Sequence, residues 1–144
     1  MVEYQEIVID WKERAKWNPN SFDQIGEKNV IYQFYCDSHI YGRNVLAYIG
    51  KTDRVFKKRL GEHEKLFFQF AKNINYSIGV ISEKINLEIP ESILIANHKP
   101  FFNKDFIHNI SSKAKSNKIL IINNGDYGML KSCCTNYWWV NNEK

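Results

Sequence analysis

Cysteine is scarce in this chain. Its 144 residues include three, Cys36, Cys133 and Cys134. They have neither the paired spacing of a zinc site nor the even framework of a disulfide-stapled domain, so reduced thiols are expected. A chain of this length buries roughly two-thirds of its unfolded surface and needs no staple. Long apolar runs are also missing. The longest aliphatic stretch, Ile119 to Ile122, falls far short of the roughly 20 residues that span a bilayer. Glu3, Glu6, Asp10 and Lys12 interrupt the apolar residues near the start, so nothing there reads as a secretion signal. The expectation is a soluble, cytoplasmic protein with no membrane contact. No repeat or low-complexity linker divides the chain, which implies a single domain over 1–144.

Charge of one sign is not dominant either. Lys and Arg total 20 against 16 acidic residues, a net charge of +4. That balance permits a polyanionic partner without demanding one. Two short basic runs stand out, Lys57-Lys58-Arg59 and the spaced set Lys113, Lys115 and Lys118. Aromatic residues make up 15%, which fits a Phe- and Tyr-rich core.

Residues 29–37 and 45–49 are rich in β-branched and aromatic types and predict two strands. Ser38, Gly42, Arg43 and Asn44 form the connection between them, and Gly50 ends the second strand. Thr52 or Asp53 suits the N-cap of a helix from about Arg54 to about Ala71. Tyr76–Ile81 predicts a third strand. Pro90 fits the first turn of a second helix that Pro100 must stop near His98. Ahead of these, Ile7-Val8-Ile9 predicts a short strand and Asp10–Trp17 a helix, the whole packing as an arm. Behind them, Lys118–Ile122 predicts a strand and Asn123–Asp126 a turn, while Trp138-Trp139-Val140 would seal a core edge. The expected fold is α/β in the α+β sense, a small mixed sheet flanked by helices.

Two helices carry charge on their apolar sides. At 100° per residue, Arg59 and His63 fall within the arc of Val55, Phe56, Leu60, Leu66, Phe67 and Phe70. They are four residues apart, so their side chains are neighbours. An inward guanidinium is costly unless an anion meets it. In the second helix, Glu91 precedes Ile93, Leu94, Ile95 and Ala96, which make that helix apolar nearly all round. Opposite charges on two inward faces form one buried ion pair or a site, unless Arg59 snorkels out at its helix end and Glu91, favoured in a first turn by the helix dipole, faces water.

The strand pair resembles the motif that names the GIY-YIG nuclease superfamily. Val30-Ile31-Tyr32 stands where the family has Gly-Ile-Tyr, and Tyr48-Ile49-Gly50 matches the second half. Arg59 lies eleven residues after Tyr48, at the place of the family's helix arginine, and His63 follows one turn later. Glu91, the apolar residues after it, Lys99-Pro100-Phe101 and Asn103 are similar to the family's metal-binding glutamate motif. The resemblance covers about residues 29–104, with 1–28 and 105–144 as extensions. Val30 replaces the first glycine, and the stretch from Tyr32 to Tyr48 is longer than in compact members, which implies an extended hairpin.

That resemblance implies a β-β-α-β-α core and a DNA endonuclease, restriction-like or mobile-element-like. Glu91 would hold one Mg²⁺ or Mn²⁺, because an oxygen-only site with retained waters suits such an ion. Arg59 would clamp a phosphate oxygen. Tyr32 or Tyr48 would serve as base or water-positioner, with His63 as the competing base. Asn103 would fix geometry through hydrogen bonds. Lys51, Lys57, Lys58 and Lys104 would contact the DNA backbone. One small site cuts one strand at a time, so double-strand cleavage would need a homodimer or two successive events. The alternative is a nucleic-acid-binding module that keeps the fold and does not cut.

Overall fold

The computed structural model describes residues 4–16, 29–52 and 72–140. Within them the strands are β1 (Tyr4–Trp11), β2 (Ala15–Lys16), β3 (Val30–Ser38), β4 (Gly42–Thr52), β5 (Lys72–Val80), β6 (Lys118–Gly125) and β7 (Cys133–Thr135). The helices are α1 (Glu88–His98) and the single turn α2 (Tyr137–Val140), with a 3-10 turn at Ser112–Ala114. The strands form one curled sheet in the order β4-β3-β5-β1-β6-β7, and β2 pairs with β5 off that path. β1 and β6 run parallel; the other pairings are antiparallel. Over the described residues the protein is therefore mixed α/β but mostly β. The expected helix over residues 54–71 lies outside the described residues.

β3 is the strand most deeply buried. Every residue from Val30 to Cys36 is buried, the pattern of a strand covered on both faces. On one face, Ile31 and Ile49 join Ile7, Ile9, Trp11 and Ile121 in a cluster with Ile93 and Leu94 of α1. On the other, Val30, Tyr32, Phe34 and Cys36 pack with Tyr76 and Ile78. A β-bulge between Phe34 and Tyr35 shifts the β3–β4 register, leaving Ala47 without a paired residue on β3.

α1 is held mainly by burial. Its N-cap, Leu87, makes no side-chain cap. Asn86 substitutes, its side-chain oxygen accepting from the Glu88 N–H at 3.0 Å. Ile93, Leu94 and Ile95 are almost wholly enclosed, each contributing about 1.5–3 kcal/mol. A cap contributes about 1 kcal/mol, so the apolar face decides where the helix sits. The helix ends as expected: Lys99 takes a left-handed conformation with φ 47°, its ammonium donates to the Ala96 and Ile107 carbonyls, and Pro100 follows.

Five expectations need correction. No helix forms over Asp10–Lys16. The alternation of buried Ile7, Ile9 and Trp11 continues β1 through Trp11, and Asp10 and Trp11 pair with Val80 and Gly79. β1 is not an arm; it lies inside the sheet between β5 and β6. β4 does not end at Gly50 but continues to Thr52, opposite Val30. Asn123–Gly125 is not a turn but the end of β6. Asn123 is buried there because its side chain accepts from Trp11 Nε1 at 2.9 Å and donates to the Lys131 carbonyl at 2.8 Å. The extended hairpin does form, but Ser38, Gly42, Arg43 and Asn44 are not its connection: they belong to β3 and β4, leaving a tip of only residues 39–41.

Candidate active site

β4 is an edge strand, and an open edge is a liability unless something covers it. The segment after α1 does so. The Phe102 N–H donates to the Ala47 carbonyl at 2.9 Å. Asn103 then grips the next outward-facing residue with both ends of its amide. Its oxygen accepts from the Ile49 N–H at 3.0 Å, and its Nδ2 donates to the Ile49 carbonyl at 2.9 Å. The side chain thus replaces a missing neighbour strand for one residue.

Beside this clamp lies a pocket of about 230 Å³. Tyr48 and Ile49 of β4, Glu91 and Ile95 of α1, and Phe102 to Phe106 line it. The fold therefore brings together four residues singled out in the sequence: Tyr48, Glu91, Asn103 and Lys104. Glu91 and Tyr48 are half-buried and Lys104 is exposed. Asp105, which the sequence reading did not single out, adds a second carboxylate to the wall. Its position two residues past Asn103 was the available signal.

Tyr32 does not line the pocket. It is fully buried, its ring stacked on Tyr48 at 6.3 Å between centroids and 25° between planes. It faces Gly50 across the strand pair. A Cβ on Gly50 would sit 2.5 Å from Tyr32 Cζ and from its hydroxyl oxygen. The glycine after Tyr48-Ile49 is thus required by the tyrosine two residues after Val30.

Lys51 lies one residue beyond Gly50 and is half-buried. Its charge reaches Glu88 at the start of α1, whose carboxyl is held below its usual range. The Ser111 hydroxyl donating to it at 2.6 Å is the main cause, with Lys113 and Lys51 adding to it. Lys113 is paired with this acid at 3.7 Å, and the Lys118 ammonium sits 5.8 Å over the Tyr137 ring. Arg59, His63, Lys57 and Lys58 lie outside the described residues, as does any Arg59–Glu91 ion pair.

Of the remaining histidines, His98 is structural. Its Nδ1 lies 2.8 Å from the Leu94 carbonyl and its Nε2 accepts from the Lys131 N–H at 2.9 Å. His39 and His108 are exposed. Tyr35 is buried, its hydroxyl donating to Gln33 Oε1 at 2.7 Å and accepting from the Met129 N–H at 2.7 Å. Trp138 is exposed while Trp139 packs on the core, so only the second indole seals an edge. All three cysteines are unpaired with one another, Cys133 exposed and the other two buried.

Among the described residues no group of three His, Cys, Asp or Glu side chains could hold a metal ion. No helix among them is long and apolar enough to cross a membrane. The chain matches no family model, no curated protein and no solved structure.

Proposed function

We propose that this chain is a divalent-metal-dependent DNA endonuclease of the GIY-YIG kind, with its reaction centre at the β4 edge, beside the segment that covers it. The observation that carries the reading is the shared pocket of Tyr48, Glu91, Asn103 and Lys104. The pairing of Val30-Ile31-Tyr32 with Gly50-Lys51-Thr52, next to Tyr48, adds support. So does the β4-β3-β5 order with α1 packed against one face.

The donor set suits Mg²⁺ or Mn²⁺. Such an ion binds through one or two carboxylates and keeps several waters, and Glu91 and Asp105 are the acids on this wall among the described residues. When bound it supplies charge neutralisation on a phosphate oxygen and the leaving oxygen. Every other part falls to the chain. Asn103 fixes Ile49 and, through it, the direction in which the neighbouring Tyr48 projects. The Tyr48 phenol positions the attacking water or takes its proton, and Tyr32 supports that ring from behind. Lys104 holds a flanking phosphate as a point charge. Arg59 is assigned the phosphate clamp and His63 the competing role of base, with Lys51, Lys57 and Lys58 along the backbone track. Double-strand cutting by this single centre would use a homodimer or two encounters.

Exposed Arg43, Lys72 and Lys104 would serve equally in a second reading, a DNA-binding module without cleavage. Incubating supercoiled plasmid with wild type and Glu91→Gln, with and without Mg²⁺, separates the two. The nuclease reading expects metal-dependent nicking by wild type and at least a hundredfold loss in the variant, the order of effect for removing a charge-stabilising group. Retarded plasmid without cutting under any metal condition would leave the binding module.

A further inference from the structure

A second concave surface lies at the hairpin tip, and the chemistry proposed above does not use it. Its volume is about 450 Å³, within the range of sites that take ring-sized ligands. Tyr41, Arg43, Lys72, Phe101 and Phe102 are among its lining residues. Three of these make a continuous aromatic path. The Tyr41 ring is 5.6 Å from Phe101, and Phe101 is 5.0 Å from Phe102. Phe102 also lines the candidate active site, so the path leads from that pocket out to the tip.

The outer end of the path is exposed and held in place. Tyr41 is 63% exposed, which leaves its ring open to a partner, while Phe101 behind it is half-buried. The Ser38 hydroxyl accepts from the Ile40 and Tyr41 N–H groups, each at 3.1 Å. The tip therefore presents Tyr41 without first having to order itself, which lowers the cost of binding.

Charge around the groove favours a polyanion. Arg43 and Lys72 are both exposed. Asp37, the one acid on the wall among the described residues, has both oxygens engaged, one by the Asn44 N–H at 2.9 Å and the other by the Asn73 amide. Among the described residues two cations thus stand against one carboxylate, which stays charged and is drawn to Arg43, so the wall keeps a net positive charge of one. A duplex shows a protein only the edges of its bases. Exposed rings beside cations instead suit unstacked bases, whose faces are available.

We infer that this groove binds an unpaired nucleic-acid strand adjoining the cutting site, with bases stacked on Tyr41 and Phe101 and phosphates held by Arg43 and Lys72. The inference rests on the nuclease reading and narrows it to substrates with a single-stranded segment beside the cleaved bond.

The test is fluorescence anisotropy of the intact protein with labelled oligothymidylate and with a labelled duplex of equal length, in EDTA. The expected result is tighter binding of the single strand. Tyr41→Ala should weaken it roughly tenfold and Tyr41→Phe should retain it, as stacking on a ring requires. The Arg43→Ala, Lys72→Ala double variant should lower the slope of log affinity on log salt by about 1.4, two contacts at about 0.7 each. Preference for the duplex, or single-strand binding indifferent to Tyr41→Ala, would overturn the inference. Plasmid nicking by the same samples keeps the two ideas apart. Nicking together with Tyr41-independent binding sinks the groove and leaves the nuclease. Tyr41-dependent binding without metal-dependent nicking supports the groove as a binding site and sinks the nuclease.

Discussion

Replacing Asn103 with alanine separates a clamp from a substrate contact. The amide makes two hydrogen bonds to the Ile49 backbone, 3.0 Å and 2.9 Å long. Each such bond contributes about 1 kcal/mol net, so Asn103→Ala should cost roughly 2 kcal/mol. For a chain of this size 1 kcal/mol moves the melting temperature by about 2–4 °C, which predicts a fall of roughly 4–8 °C. Asn103→Asp keeps the acceptor for the Ile49 N–H but turns a second oxygen toward the Ile49 carbonyl, so it should cost at least as much. Urea denaturation gives the stability change and plasmid nicking the activity change on the same samples. The clamp reading expects both to fall together, because Tyr48 is adjacent to the released backbone. Unchanged stability with abolished nicking would refute it and make Asn103 a direct substrate ligand.

Three other predictions rest on separate observations. Gly50→Ala should destabilise the fold by about 1–3 kcal/mol, the usual cost of overpacking. In a Tyr32→Ala background most of that cost should vanish, because the Tyr32 ring is what the new Cβ meets; equal costs in both backgrounds by urea titration would count against this packing. Burial holds the His98 imidazole below its ordinary value. The unfolded chain therefore takes up a proton below about pH 6.5 where the folded chain does not. Stability should fall as pH drops through that region, and His98→Gln should flatten the dependence; a melting curve with the same slope in both proteins would exclude the residue. Burial also pushes the Cys36 thiol up to about 11 and the Cys134 thiol up to about 12. A thiol reagent should therefore titrate one cysteine, Cys133, in the native protein and three after unfolding, and rapid native labelling of Cys134 would contradict the packing of β7.

Local chemistry in the sequence was enough to find β3, the centre of β4, most of β5 and nearly all of α1. Their signals are short range: β-branched and aromatic runs for the strands, Pro90 and Pro100 for the helix. It misled where a local signal met a distant partner. Asp10 and Trp11 look like the start of a helix, but β6, more than a hundred residues later, pairs with both and fixes them as strand. Asn123 and Asn124 look like a turn until Trp11 supplies a donor for the first. Asn136, also fully buried, accepts from the Ile119 N–H and donates to the Ala114 and Asn117 carbonyls. An asparagine that imitates a peptide group carries no sequence mark of that role. The same holds at the candidate site. The Tyr48, Glu91 and Asn103 set was legible as spacing, whereas the two-ended grip on Ile49 and the arrival of Asp105 depend on how the segment after α1 lies along β4.

Mapping amide resonances broadened by Mn²⁺ tests the location of the reaction centre most directly. Broadening should concentrate on Tyr48, Ile49, Glu91 and the Asn103–Asp105 segment, and should disappear in Glu91→Gln with the rest of the spectrum unchanged. Broadening centred elsewhere, or unaffected by Glu91→Gln, would contradict a metal-assisted site at the β4 edge.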